Sequence, residues 1–234
     1  MRFLQLILIA AFSLASSLPG FAAGPDKKPT PVMDRVNRAA PLIQQGRVSE
    51  ALDQVIDPVI AEFEKAYGAS KEKIYCASSA PETLLYLVKA AADKQNARVV
   101  DPGYAYAYYI KGYVCIEQKD LAHAEEYLTR ALALSPFNSQ FLSELGNLYQ
   151  SRRDWTKALD RYKQAAEHAA LLDADGGSKW QRRALRGQAF VLVEQGKLDE
   201  AEKLHRRCLE LDPQDEGAAN ELRYIAGLRR QSAK

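Results

Sequence analysis

The segment 139–165, SQFLSELGNLYQSRRDWTKALDRYKQA, carries the clearest structural pattern in this 234-residue chain. Apolar residues recur at helical spacing on both sides of Arg152-Arg153-Asp154, which predicts two amphipathic helices joined by a short turn. Small residues stand within both helices, at Gly146 and Ala158. Because small side chains let two backbones approach, we expect these helices to pack as an antiparallel pair.

The same arrangement recurs along the chain. The spacing from Gly112 to Gly146 is repeated from Ala124 to Ala158, and a third unit follows that is displaced by a loop insertion at 172–178. A proline ends the second helix of the first and third units, since proline cannot continue a helix. The shared structural positions are Gly112, Ala124, Pro136, Gly146, Ala158, Ala189, Ala201 and Pro213.

This pattern resembles the tetratricopeptide repeat, a 34-residue helix–turn–helix unit. The resemblance implies an all-α fold, a right-handed superhelical solenoid of antiparallel helix pairs. It is weaker in the first and third units, where Lys111 and Cys115 replace larger apolar and aromatic residues and Ala189 replaces glycine. The repeats are assigned to residues 103–138, 139–178 and 179–213, and a capping helix with a tail to residues 214–234.

Residues 32–102 are predicted to form a divergent N-terminal helical region that is repeat-like over 32–67. Pro58 should kink or restart the second helix of that unit after Asp57. A loop is expected over 68–79. A helix should follow from Pro81 to about Asn96, and its apolar side is expected to carry Leu84, Leu85, Leu87 and Val88.

The segment 1–23 has the pattern of a cleavable secretory signal peptide, with a linker at 24–31. Arg2 precedes an apolar run, and small residues surround the expected cleavage at Ala22 or Ala23. A membrane anchor is the alternative, but about 12 apolar residues fall short of the roughly 20 that span a bilayer. The expected location is the periplasm or the exterior, with no integral membrane span after cleavage.

The composition of the chain argues against several classes of function. The chain has 32 Lys plus Arg against 30 Asp plus Glu, so charge gives no case for a nucleic-acid partner. Its three cysteines are too few for a disulfide scaffold; Cys76, in the expected loop, could pair with Cys115 or stay free. The sequence also shows no cofactor or metal motif, and the aspartates at 173–175 fit a flexible turn better than a calcium loop.

The histidines argue against an enzyme. His123, His168 and His205 all fall in second helices, away from the expected ligand groove. Packing or surface roles suit them better than catalysis, and no nucleophile with a nearby base can be assembled.

The resemblance also implies a ligand groove on the concave face, lined by the first helix of each unit. The family's ligand-facing positions correspond here to Tyr106, Tyr109, Tyr113, Ile116, Gln140, Ser143, Asn147, Gln150, Arg183, Arg186, Phe190 and Val193. This groove would be aromatic at one end and basic at the other, which suits a peptide or partner helix with an acidic or carboxylate end.

Two alternatives bear on the groove. Tyr106 and Tyr109 could instead pack against the helix ending near Asn96 and close the core. The family's carboxylate clamp is not expected, because only Asn147 and Arg183 stand at comparable positions, in the wrong combination of repeats.

The sequence thus indicates a non-enzymatic exported scaffold that binds a peptide or partner protein of the cell envelope. The alternative is an accessory subunit of an envelope enzyme or a binder of cell-wall polysaccharide.

Overall fold

The computed structural model describes residues 30–172 and 179–232. The expected signal peptide, the linker up to residue 29, the insertion at 173–178 and the end of the tail at 233–234 lie outside the described residues. Within the described ranges, none of the helices combines the length and apolar character needed to cross a membrane.

The chain is mostly helical, with one small sheet. Its helices are α1 (Pro31–Asn37), α2 (Ala39–Gln44), α3 (Val48–Ala51), α4 (Asp57–Tyr67), α5 (Ala80–Ala92), α6 (Gly103–Glu117), α7 (Leu121–Leu134), α8 (Ser139–Ser151), α9 (Trp155–Leu172), α10 (Lys179–Glu194), α11 (Leu198–Leu211) and α12 (Glu216–Ser232). A π-helical turn, Leu52–Ile56, joins α3 to α4, and the strands are β1 (Lys73–Cys76) and β2 (Ala97–Val100).

The pairs α6–α7, α8–α9 and α10–α11 stack side by side, and α12 packs on α11, which confirms the helical solenoid. Small residues permit the close approach, although the tightest contacts lie one turn beyond the alanines that the sequence suggested. A Cβ on Gly112 would meet the Leu128 side chain at 2.9 Å, and one on Gly146 would meet the Tyr162 ring at 3.0 Å. Larger residues at either glycine would therefore separate the helices.

One backbone turn recurs between paired helices. Gly46 and Gly196 have positive φ angles of 76° and 74°, and Lys119 and Arg153 occupy the same left-handed region at 63° and 58°. These residues stand at the same place in each turn, just before the second helix begins. The N-terminal unit and the three repeats thus share the backbone conformation of this turn.

The π-helical turn accommodates Pro58. The Asp57 amide donates to the Leu52 carbonyl, five residues back, and α4 then starts with Pro58 in its first turn. A proline ring clashes with the carbonyl four residues earlier in a regular α-helix, and the wider turn relieves this clash. The helix is thus restarted near Asp57, as the sequence suggests.

The expected loop at 68–79 is wrong in part, because residues Lys73–Cys76 form β1. This strand pairs in parallel with β2, with Ile74 opposite Arg98 and Cys76 opposite Val100. β-Branched residues favour both strands, Tyr75 adds an aromatic residue to β1, and α5 supplies the crossover that parallel strands need. Because β2 begins at Ala97, α5 ends at Ala92 rather than near Asn96.

The orientation of α5 is the reverse of the expectation. Its buried side carries Tyr86, whose ring stacks on Tyr75 with centroids 5.1 Å apart, and Ala90. Of the expected apolar side, Leu84, Leu87 and Val88 face solvent, with Leu84 63% exposed, and Leu85 is half-buried. The strands, which the sequence analysis missed, therefore determine which side of α5 is covered.

Candidate functional site

Three of the expected groove residues lie in the core. Tyr109, Gln140 and Ser143 are buried, and the Gln140 amide donates to the Tyr109 hydroxyl at 3.0 Å. The Tyr109 ring stacks on Phe141 of α8 with centroids 4.9 Å apart, and the half-buried Tyr106 meets the same ring edge-on. The core alternative thus describes Tyr109, although the ring that covers it belongs to α8 rather than to α5.

Arg183 forms an ion pair with a buried carboxylate. Its guanidinium donates to Glu144 at 2.6 Å, and the Glu144 side chain, only 2% exposed, also accepts from the Asn147 amide at 3.0 Å. Burial alone would lower the pKa of Arg183, but the facing carboxylate raises it above its ordinary value. Glu144 therefore already balances the charge of Arg183.

Arg186 also pairs with a buried carboxylate, which lies at the start of α12. It donates to Asp215, a carboxylate whose side chain is 3% exposed, and Arg182 donates to the same oxygen at 3.1 Å. Asp215 also accepts from the Ala218 amide at 3.0 Å and so caps α12. Burial would raise the pKa of Asp215, yet these donors hold it below its usual range. Arg182 also pairs with Asp212 at 2.8 Å, so the three arginines of α10 face three carboxylates. The expected basic end of the groove is therefore charge-balanced, which argues against the inferred acidic ligand end.

Four residues at equivalent places remain accessible, and we call them the groove row: Tyr113, Asn147, Phe190 and Tyr224. The first three each lie one position after the small residue of a first helix, and Tyr224 follows Phe190 by the same interval that separates Tyr113 from Asn147. Tyr113 and Asn147 are half-buried, Phe190 is 39% exposed and Tyr224 is 55% exposed. Gln150 is half-buried and accepts from the Tyr162 hydroxyl at 3.0 Å.

Tyr224 is the residue that the sequence analysis missed. The sequence predicts only a capping role for the final helix, although the repeat spacing of Tyr224 from Phe190 is a usable signal. The small residue that precedes the other members of the row is replaced before Tyr224 by the exposed Arg223. Among the described residues, no further helix follows to pack against this position. Helix α12 thus caps the array and also presents an aromatic side chain in register with the other first helices.

The cysteines and histidines do not form a reactive cluster. All three cysteines are buried and unpaired, and burial raises the pKa of Cys76, which lies in β1 and not in a loop. His123 is exposed beside Asp120, and the His168 ring packs on Phe137. Over residues 30–172 and 179–232, no three His, Cys, Asp or Glu side chains are grouped to hold a metal ion.

His205 is buried in α11, and neither ring nitrogen has a hydrogen-bond partner among the described residues. It stands where the preceding second helices have Leu128 and Tyr162. Burial, with a further contribution from Arg186 and against the opposing effect of Asp215, lowers the pKa of His205 to about 4. The imidazole is thus neutral in the folded protein at neutral pH.

We predict that His205→Leu stabilises the protein at pH 7 by about 1–3 kcal/mol, since two unsatisfied polar atoms are removed. Below pH 6.5 the unfolded chain binds a proton that the folded chain does not. The parent should therefore lose up to about 3 kcal/mol more than the variant as the pH falls towards 4. Urea unfolding of both proteins at pH 7, 6, 5 and 4 measures this difference. Parallel pH profiles would contradict a neutral buried imidazole.

The architecture described above is that of a helical-repeat protein. Models of the tetratricopeptide repeat match residues 105–138 and 139–214. Residues 105–214 therefore consist of tetratricopeptide repeats, as the resemblance implied. No curated protein sequence matches the chain significantly.

A solved structure with a TM-score above 0.5 shares this fold, and two peptide-bound repeat domains are similar over part of the chain. The structure described as the functional characterization of Pseudomonas aeruginosa pilF is 14% identical, with a TM-score of 0.58 over 86% of this chain and 70% of that chain. The first repeat domain of Spaghetti (RPAP3), bound to the HSP90 peptide SRMEEVD, is 23% identical, with a TM-score of 0.48 over 56% of this chain and 97% of that chain. The second such domain of human RPAP3, in complex with the HSP70 peptide SGPTIEEVD, is 22% identical, with a TM-score of 0.43, and covers 52% of this chain and 98% of that chain. At these identities the likeness concerns the fold alone.

Proposed function

We propose that this protein is a non-enzymatic, exported scaffold that holds a peptide segment of a cell-envelope protein against the concave face of its repeats. The observation that carries the proposal is the groove row, whose side chains stay accessible on four successive first helices although most of α8 is buried. Stacked repeats present such equivalent positions as one continuous surface.

The chemistry of the row suits protein recognition. Tyrosine and phenylalanine give rigid contact area, and tyrosine is among the residues that most often dominate binding energy. Asn147 adds an amide, one of whose protons is committed to Glu144. An amide group can offer a second donor and an acceptor to a peptide backbone.

Export rests on the N-terminal sequence. The charged start, the apolar run and the small residues before Gly24 are the features of a cleavable signal. The proposed location is the periplasm or the exterior, and cell fractionation with N-terminal sequencing of the mature chain tests it.

The double variant Phe190→Ser/Tyr224→Ser should lose a partner protein that the parent retains in a pull-down from an envelope extract. The change removes two exposed aromatic rings and leaves the core intact, so helicity by circular dichroism should stay the same. Leu84→Ser is the matched control, because it removes an exposed apolar side chain from α5, outside the row.

Retention of the same protein by the parent and the double variant would contradict the groove as the binding site. This variant tests the groove more directly than changes at Tyr109, Arg183 or Arg186, because those residues make contacts within the fold.

A further inference from the structure

We propose that the groove selects an extended peptide with apolar and basic side chains, and that it disfavours acidic peptides. This inference rests on the proposed function and concerns the same groove row. Its evidence is the distribution of charge around the row, which differs from the distribution that the sequence suggests.

Two exposed carboxylates follow the row. Glu117 lies four residues after Tyr113, and Glu194 lies four residues after Phe190. Residues four apart share one face of a helix, so each carboxylate stands one turn from an aromatic member of the row. The two are close enough to interact in the first unit, where burial and the Glu117 carboxylate raise the pKa of Tyr113 to about 12.

The arginines of α10 do not offset the negative charge of Glu117 and Glu194. Arg183 is paired with Glu144, Arg186 with Asp215, and Arg182 with both Asp212 and Asp215. Glu144 and Asp215 are nearly inaccessible, so a ligand could displace them only by leaving a buried charge unpaired, which is costly. The groove therefore offers an acidic ligand no uncompensated arginine at these positions and places it near two negative charges.

The spacing favours an extended peptide. Packed helices lie roughly 8–10 Å apart, and an extended chain advances about 3.3 Å per residue. About three peptide residues thus span one interhelical distance, so a segment of at least about seven residues is needed to pass Asn147, Phe190 and Tyr224. Apolar side chains would meet the aromatic rings, and a lysine or arginine would lie near Glu117 or Glu194.

The test is selection of a random 12-residue peptide library, displayed on phage, against the purified protein. We expect the enriched peptides to contain aromatic or aliphatic residues with Lys or Arg, and few Asp or Glu. Synthetic copies should bind at least about tenfold more weakly to Phe190→Ser/Tyr224→Ser. Binding to Glu117→Lys/Glu194→Lys should weaken about three- to tenfold, the size expected for two exposed charge contacts.

Glu167→Lys/Glu200→Lys is the matched charge control, because both residues are exposed on second helices. It should change the dissociation constant less than about twofold at physiological ionic strength, since distant exposed charges are screened. Equal weakening by the two charge variants would overturn the inference.

The outcomes separate the two proposals. Enrichment of acidic peptides that still require Phe190 and Tyr224 would overturn the charge preference and leave the groove function standing. Peptides that bind the double aromatic variant as well as the parent, or no enrichment above an unrelated helical protein, would overturn the groove function itself.

Discussion

Replacing Arg183 by methionine is expected to lower the free energy of unfolding by about 3–5 kcal/mol, because Glu144 is left as a buried carboxylate without its cation. The methionine keeps much of the apolar stem, so the loss reports the charge rather than the packing. Equilibrium unfolding in urea at pH 7 measures it. This contact joins α8 to α10, and its removal should loosen the second repeat from the third.

The double variant Arg183→Met/Glu144→Leu is the control. It removes both charges, and exchanging a buried pair for apolar residues is often nearly neutral. It should therefore recover most of the stability that Arg183→Met loses. A loss below about 1 kcal/mol for Arg183→Met would instead place this pair among ordinary surface pairs.

Gly103→Ala is expected to cost about 3 kcal/mol and to detach α1 from the start of α6. A Cβ at this position would lie 2.6 Å from the Met33 nitrogen and the Val32 carbonyl carbon, and backbone atoms cannot rotate away. The displaced helix would expose side chains that are now buried, including Val36. The melting temperature should fall by about 6–12 °C for a chain of this length.

Gly227→Ala is the matched control for this prediction. Its Cβ would meet no heavy atom within 4 Å, and alanine favours a helix over glycine by about 1 kcal/mol. The control should be neutral or slightly stabilising. Equal melting temperatures for Gly103→Ala and the parent would show that α1 is not held at this contact.

The periodic spacing of small residues predicts the solenoid, whereas no pattern in the sequence predicts the small sheet. The regular spacing of Gly112 and Gly146 reflects a contact made in both units, so the sequence alone reveals it. Strands β1 and β2 have four residues each, and the whole of α5 separates them along the chain. Short segments carry too little alternation to predict pairing, and the burial of α5 follows from that missed pairing.

The helix register of the expected groove residues could be predicted from the sequence, but their accessibility could not. Gln140 and Ser143 stand at the expected register and yet are buried. Tyr109 of α6 contacts Gln140, and Arg183 of α10 contacts Glu144, so neighbouring helices already occupy this part of α8. Asp215 could not be anticipated as the partner of Arg186, since the two are distant in sequence and meet only because the packing of α12 on α11 brings Asp215, just before α12, to the side of α10. Sequence spacing thus predicts which residues lie on the same helix face. Tertiary contacts determine which of those side chains remain accessible to a ligand.

The recurring left-handed turn makes the repeats interchangeable as building blocks. Lys119 and Arg153 hold the same backbone conformation at the same place in consecutive units, so the chain leaves and re-enters that segment with matching geometry. A copy of the segment between them could be inserted at Arg153 without a new linker. The array could thus be lengthened by one whole unit, and the distance between its two ends could be set in steps.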